Sequence, residues 1–224
     1  MGGSGRPPSP PTRVTAAKPP CRASATSLPH LPLVLASASP RRRELLGRLV
    51  VDFTVIPSAV EERLEPGPLT EAIARLAEVK ARAVAASAPS AVILAADTMV
   101  IIDGEALGKP ADRAEAVAML RRLRGRAHEV ITGLAVIDGP QERAWTATEI
   151  SCVVMARYPD ALIERYAASG APLDKAGGYA IQDLDGVLVD AVVGSYTNVI
   201  GLPLGVTARL LASAGVRLSG PGSS

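Results

Sequence analysis

Asp97 is the first residue whose setting suggests chemistry, because it directly follows the apolar run of residues 92–96. A continuous apolar run of this length predicts a strand that is buried on both faces, with Asp97 at its carboxyl end. Ligands bind at that edge in open α/β sheets, and a carboxylate there can hold Mg²⁺ or activate a water molecule. The alternative is a structural polar corner formed by Asp97 and Thr98.

A second candidate is the segment from Ser37 to Arg42. Ser39 and Pro40 are typical of a helix N-terminus, which places Arg41 and Arg42 in the first turn. The helix dipole disfavours cations at that end, so a bound anion such as phosphate would offset the two guanidinium groups. The alternative is a solvated basic turn with an ordinary serine cap.

Other charged residues could complete a phosphate and metal site. Glu61-Glu62 follows a predicted strand over residues 53–56, and paired carboxylates suit Mg²⁺, although such a pair is more often a solvated surface. Lys80 lies in a predicted helix and Lys109 in the rigid turn Gly108-Lys109-Pro110. Either lysine could place a point charge on phosphate or simply face solvent.

The segment 174–182 combines glycines with polar residues and predicts a loop that enters a strand, where Gln182 could read the edge of a base. It does not match the Walker phosphate-loop pattern. His30 and His128 each stand alone, which excludes serine-protease-like chemistry and His-rich metal sites.

Composition argues against nucleic-acid and membrane partners. Aromatic residues make up 3% of the chain, too few for the stacking platforms of single-strand binders. Residues 1–30 hold four basic and no acidic residues, so residues 31–224 hold 20 basic and 22 acidic ones, a net charge of −2. Any polyanion should therefore be small and held locally. No apolar run approaches the ~20 residues of a spanning helix, and two distant cysteines fit a reducing, cytoplasmic compartment.

Strand-like and helix-like segments alternate from residue 31 onward. The predicted strands cover residues 33–35, 53–56, 92–96, 99–102, 106–107, 130–137, 144–155 and 187–193. The predicted helices cover residues 40–46, 70–86, 113–123, 159–168 and 204–214. Alternation mixed with hairpins predicts an α/β fold with a mixed, partly antiparallel twisted sheet flanked by helices.

The composition along the chain predicts three parts. Residues 1–30 are rich in Gly, Pro, Ser and Arg and predict a disordered extension, with an organelle transit segment as the alternative. Residues 31–216 predict a single domain, and residues 217–224 a flexible tail.

Seven segments, taken in order, resemble the Maf family of nucleoside triphosphate pyrophosphatases and cover nearly all of residues 31–214. They are LASASPRRRELL (35–46), VEE (60–62), KARA (80–83), AADTMV (95–100), GKP (108–110), DKAG (174–177) and GLP (201–203). The resemblance implies a fold like that of inosine triphosphatases. It also implies cleavage of a nucleoside triphosphate between the α and β phosphates with a divalent cation such as Mg²⁺ or Mn²⁺.

The resemblance also implies roles for individual residues. Asp97 is expected to accept the proton of the attacking water, and Glu62 to bind the metal together with Asp97. The expected substrate contacts are Ser37, Arg41, Arg42, Lys80, Thr98, Lys109 and Gln182. Within that set, Arg41, Thr98 and Gln182 fall where the family sets its choice of base.

Residues 179–182 read Tyr-Ala-Ile-Gln, similar to the branch that prefers dTTP and UTP and not to the branch that acts on 7-methyl-GTP. Asp183 stands where that branch usually has glycine, which leaves the base preference open. Prevention of misincorporation and arrest of cell division are the implied cellular roles. The alternatives are a non-catalytic nucleotide-binding regulator of septum formation and a house-cleaning enzyme for ITP- and XTP-type purines. The sequence leaves the oligomeric state open, with a homodimer as one option.

Overall fold

A seven-stranded sheet forms the centre of this computed structural model, which describes residues 31–219. Its strands are β1 (Leu33–Leu35), β2 (Thr54–Val55), β3 (Val92–Ile102), β4 (Glu105–Leu107), β5 (Ala127–Asp138), β6 (Arg143–Met155) and β7 (Val189–Val193). The predicted extension over residues 1–30 lies outside the described residues, as do residues 220–224 of the predicted tail.

The sheet is mixed, with strand order β2-β1-β3-β5-β6-β7 and with β4 paired to β3. Strand β1 runs parallel to β2 and to β3, whereas all the other neighbouring pairs are antiparallel. The predicted α/β fold with a partly antiparallel sheet is therefore confirmed.

Helices cover both faces of this sheet. They are α1 (Pro40–Leu46), α2 (Leu69–Ala85), α3 (Arg113–Leu123), α4 (Asp160–Ala168), α5 (Tyr196–Ile200) and α6 (Leu204–Ser213). Over residues 31–219, none of them has the length and apolar character needed to cross a bilayer.

Successive residues of β3 point to opposite faces of the sheet. Ile93 packs with Ala77 of α2 on one face, whereas Leu94 packs with Leu45 of α1 and Leu211 of α6 on the other. The sequence therefore produces a three-layer arrangement in which α2 lies on one side and α1 and α6 lie on the other.

Several predicted boundaries differ from the structure. The strand predicted to end at Ala96 continues through Asp97 to Ile102, because β5 pairs with β3 along nearly its whole length. The segment 174–182 does not enter a strand. It is followed by a turn in which Leu184 and Asp185 have φ values of 52° and 53°, and this left-handed backbone delays β7 to Val189.

Helix α2 approaches the sheet most closely at Gly133 of β5. A Cβ atom at this position would lie 2.6 Å from the carbonyl oxygen of Ile73. Glycine is therefore required for the backbone of α2 to lie against β5 at this distance.

Gly133→Ala should lower the free energy of unfolding by about 1–3 kcal/mol, the usual cost of overpacking. Urea unfolding measures the change. Gly205→Ala is the matched control, because a Cβ atom at this exposed position of α6 would meet only the end of Arg209 at 3.9 Å. The control should keep or raise the stability, since alanine favours helix. Equal losses in the two variants would contradict the close approach.

Candidate active site

The site lies at a gap along one edge of β3. Strand β1 pairs with this edge up to Leu94, and β4 pairs with it again from Val100, while β5 occupies the opposite edge. Within residues 31–219, no strand pairs with this edge over residues 95–99. The gap leaves room for a ligand beside the middle of a buried strand.

Asp97 lies in this gap, in the middle of β3 and not at its end as the sequence predicted. The ligand edge is instead defined by β1, whose carboxyl end at Leu35 lies beside Leu94. The prediction that Asp97 lies at the carboxyl end of a buried strand is therefore wrong for its own strand. The strand whose carboxyl end borders the gap is β1, the parallel neighbour of β3, as expected for a ligand site in an α/β sheet.

Asp97 and Thr98 point to opposite faces of the sheet. Asp97 meets Lys80 of α2 on one face, and Thr98 meets Arg42 of α1 on the other. Because β1 has ended, the pocket reaches both faces, and both residues line it.

The α2 side of the site holds an alternating cluster of charges. The Lys80 Nζ donates to Asp97 Oδ1 and, at 2.9 Å, to Glu62 Oε1. The Lys109 Nζ donates to Glu62 Oε2 at 2.6 Å. Lys80 and Asp97 are buried, whereas the side chains of Glu62 and Lys109 are 41% and 49% exposed. The predicted carboxylates and lysines therefore converge on one place.

The two carboxylates differ in their electrostatic settings. Burial raises the pKa of Asp97 above its usual value, although the charge of Lys80 and its hydrogen bond oppose the rise. Burial also acts to raise the pKa of Glu62, but hydrogen bonds from Lys109 and Lys80 outweigh it and lower that pKa to about 2. Glu62 is thus an anion at neutral pH, and Asp97 is the more basic carboxylate, as a proton acceptor requires.

The structure separates the roles of the two adjacent arginines. Arg42 turns inward and donates to three protein oxygens: Gly201 O at 2.9 Å, Thr98 Oγ1 at 3.0 Å and Ser37 Oγ at 3.3 Å. Arg41 lies at the pocket and forms an ion pair with Asp174 at 3.4 Å. The Ser39 side chain accepts from the Arg42 N–H at 3.4 Å, as the predicted cap requires.

Most of the predicted site residues meet at one pocket. Those that line it are Ser37, Arg41, Arg42, Glu62, Asp97, Thr98 and Lys109. Lys80 is buried behind the two carboxylates that it contacts. Gln182 is exposed and is not among the residues that line the pocket, which instead includes Tyr179 and Ala180 of the same segment.

The pocket also contains residues to which sequence reasoning gave no role. Lys175 lines it, is buried, and donates to Asp174 Oδ1 at 2.7 Å. The Lys175 Nζ also lies 3.5 Å from Asp183 Oδ2, which accepts a hydrogen bond from the Tyr166 hydroxyl. Asp183, the unusual residue of this loop, is therefore fixed between α4 and the pocket lysine. The Asp174-Lys175 pair was visible as a polar segment, but its contacts with Arg41 and Asp183 depend on the folded structure.

The candidate metal ligands in this pocket are the carboxylates of Asp97 and Glu62. Over residues 31–219, no group of three or more His, Cys, Asp and Glu side chains is placed to hold one. Asp97 Oδ2 is buried without a hydrogen-bond partner among the described residues, and Glu62 shares Lys80 with Asp97. This donor set fits Mg²⁺, which commonly binds one or two carboxylates and takes its other ligands from water and phosphate.

Comparison with known proteins gives one consistent family. The family model described as Maf-like protein matches residues 32–214. The dTTP/UTP pyrophosphatase of Salinibacter ruber is 51% identical over 77% of this chain and 86% of its own length. The dTTP/UTP pyrophosphatases of Anaeromyxobacter dehalogenans and Myxococcus xanthus are 50% and 49% identical, each over 83% of this chain and over 95% and 94% of their own lengths.

Among solved structures, the Staphylococcus aureus Ham1 protein matches with a TM-score of 0.40 and 16% identity, over 56% of this chain and 72% of that chain. This similarity is too low to bear on function.

Lys80→Met should lower the free energy of unfolding by about 3–5 kcal/mol at pH 7, because it leaves the buried Asp97 without its cation. Chemical unfolding at several pH values measures the loss. Glu62, whose pKa is depressed to about 2, contributes stability above its unfolded pKa, and this is lost as the pH falls toward 2. Asp97 is protonated at low pH, so the penalty of Lys80→Met should shrink in acid.

Lys109→Met is the matched control, since it removes an exposed lysine from the same Glu62. It should cost less than about 1 kcal/mol. Adding Asp97→Asn to Lys80→Met should recover part of the loss. A penalty for Lys80→Met that does not depend on pH would contradict the assigned ion pair.

Proposed function

The chain belongs to the Maf-like protein family, and we propose that it is a nucleoside triphosphate pyrophosphatase that hydrolyses dTTP, UTP and similar, including modified, nucleotides. The products are the nucleoside monophosphate and pyrophosphate. The observation that carries the proposal is the convergence of Asp97, Glu62, Lys80 and Lys109 at the β3 gap. This arrangement combines a basic carboxylate with cations suited to a polyphosphate, and the curated relatives are dTTP/UTP pyrophosphatases.

The chemical step uses the protonation states of the two carboxylates. Asp97 accepts a proton from a water molecule that attacks the α-phosphorus, and the bond between the α-phosphorus and the bridging oxygen breaks. Pyrophosphate carries away the electron pair of that bond. Lys80, which donates to Asp97 Oδ1, fixes the orientation of the carboxylate. It leaves Oδ2 without a partner among the described residues, so that one lone pair is available to the water and the other to a metal ion.

Binding of the negatively charged triphosphate requires cationic side chains that are accessible in the pocket. Lys109 and Arg41 are partly exposed at the pocket, and each can exchange its carboxylate partner for a phosphate oxygen. Arg42, with three protein acceptors, is better placed to hold Ser37 and Thr98 in position. Holding the triphosphate in line with the water supplies a large part of the rate through orientation.

A divalent cation such as Mg²⁺ or Mn²⁺ is part of the proposal. Glu62 and Asp97 would hold it, since their oxygens converge on Lys80 and Asp97 Oδ2 has no partner among the described residues. When bound, the ion neutralises charge on the phosphate oxygens as it builds up during cleavage.

Arg41, Thr98 and Gln182 are proposed to set the choice of base, although Gln182 would reach the pocket only if its loop moved. Removal of nucleotides that would be misincorporated, and arrest of cell division, are the proposed cellular roles in a cytoplasmic protein.

Asp97→Asn should lower kcat for dTTP and UTP by ~10²–10⁴, the usual contribution of a general base. Pyrophosphate release at saturating metal measures it. Asp138→Asn is the matched control, since Asp138 is also buried but its side chain accepts hydrogen bonds from the Gln141 N–H and from Arg143, away from the pocket. The control should stay near the wild-type rate. Equal rates for Asp97→Asn and wild type would contradict the role of Asp97, and a wild type without activity on any triphosphate would favour a binding function.

Glu62→Gln should raise the metal concentration needed for half-maximal activity by ~10-fold or more, since even outer partners of metal ligands have effects of that size. A metal titration of pyrophosphate release measures it. Glu71→Gln, which removes an exposed carboxylate paired with Arg75 on α2, should leave the titration unchanged. Full activity of the wild type in excess chelator would rule out the metal.

A further inference from the structure

A chain of hydrogen bonds runs inward from the pocket on the Thr98 side of β3. Arg42 Nη2 donates to Thr98 Oγ1 at 3.0 Å. Thr98 Oγ1 lies 2.9 Å from the hydroxyl of Thr132, its direct neighbour on β5. The Thr132 hydroxyl in turn donates to the backbone oxygen of Asn198 at 3.3 Å. Thr132 and Asn198 are fully buried.

The two ends of this chain limit the direction of its hydrogen bonds. Arg42 can only donate, and the carbonyl of Asn198 can only accept. Each threonine hydroxyl has one hydrogen and two lone pairs. If Thr98 donates to Thr132, then Thr132 can donate to Asn198, and all three bonds form. If Thr132 donates to Thr98 instead, the bond to Asn198 is lost.

The first direction is therefore favoured by one intramolecular hydrogen bond. In that direction the hydrogen of Thr98 points inward and one lone pair is taken by Arg42. What remains for a ligand is the second lone pair. Gly201 lines the pocket at this point, and a Cβ atom there would stand 3.4 Å from Thr98 Oγ1. A glycine thus keeps a side chain from covering the hydroxyl.

We propose that Thr132 is a positioning residue that makes the Thr98 hydroxyl a hydrogen-bond acceptor toward the pocket, and so selects substrates that present an N–H group to it. This inference rests on the proposed function. Ionised phosphates only accept hydrogen bonds, so they do not match this position. The surrounding wall is apolar, with Val130, Val199 and Ile200, which suits a base.

The imino N3–H of uracil and thymine is the matching donor. Cytosine has an unprotonated N3 at the same position, which only accepts, so its nucleotide should bind poorly. To accommodate it, Thr98 would have to turn its hydrogen to the pocket, and Thr132 would then keep only one of its two hydrogen bonds, to Thr98 or to Asn198. Thr132 acts on the substrate only through Thr98, since it is not among the residues that line the pocket.

Thr132→Val removes the inner hydroxyl with little change of volume, and Asn198 O keeps its bond from the Gly201 N–H at 2.9 Å. Thr98 is then free to donate to the pocket as well as to accept. The ratio of kcat/KM for UTP over CTP should fall by about fivefold, the factor expected for one ordinary hydrogen bond. Thr132→Ser keeps the hydroxyl and should keep the wild-type ratio.

Thr207→Val is the matched control. Thr207 is also fully buried and donates to a backbone oxygen, that of Pro203 at 2.9 Å, away from the pocket. It should lower the melting temperature without changing the ratio. If Thr132→Val does not fold, Thr132→Ala removes the same hydroxyl with a smaller side chain. An unchanged ratio, or a shift in favour of UTP, in folded Thr132→Val or Thr132→Ala overturns the inference.

Failure of the proposed function gives a different result. A wild type that hydrolyses neither UTP nor CTP contradicts the proposed pyrophosphatase activity. The preference for UTP over CTP is then measured as the ratio of their binding affinities by calorimetry. A lower affinity ratio in Thr132→Val than in wild type supports the inference without turnover. A wild type that binds neither nucleotide overturns both proposals.

Discussion

The ion pair between Lys80 and Asp97 is the interaction on which the site depends. Both side chains are buried, and burying two charges costs several kcal/mol each unless they meet at hydrogen-bonding distance. Helix α2 and strand β3 must therefore hold a fixed relative position. Small residues of α2 and Gly133 of β5 allow that close approach. A buried pair of this kind adds little net stability, but it leaves few alternative arrangements of the two elements.

Glu62 extends the pair to the surface. It bonds to buried Lys80 with one oxygen and to exposed Lys109 with the other, so the charges alternate in sign from the interior to the pocket. In the proposed function, a polyphosphate with its metal would add both anions and a cation to this series of charges. The exposed Glu62 and Lys109 can therefore exchange partners with the ligand while the buried Lys80 and Asp97 remain paired.

The sequence predicts the local elements of this structure well, because local patterns determine them. The Ser39 cap and the amphipathic α2 are recognisable from spacing alone, and α2 begins one residue before its predicted start. The position of Asp97 in the middle of β3 is not recognisable from the sequence, because it depends on β5 pairing with β3 along nearly its whole length. The different roles of Arg41 and Arg42 also depend on tertiary structure, because consecutive helical residues point about 100° apart and the sequence does not say which faces inward.

The contacts of Thr98, Thr132 and Asn198 are harder still to predict. They require the β3–β5 register, which pairs Thr98 with Thr132, and the position of α5, which no sequence pattern indicated. Gln182 shows the opposite difference between sequence and structure. Its motif predicts a site residue, but its exposed side chain does not line the pocket.

The alternation of side chains along β3 gives the site an evolutionary property. Asp97 and its ionic partners lie on the α2 face, and Thr98 with its hydroxyl partner lies on the other. Substitutions that alter one layer of the protein therefore leave the other layer in place. After a gene duplication, a descendant chain could acquire a new nucleotide preference through changes around α1, α5 and β5 while inheriting the proposed catalytic residues intact.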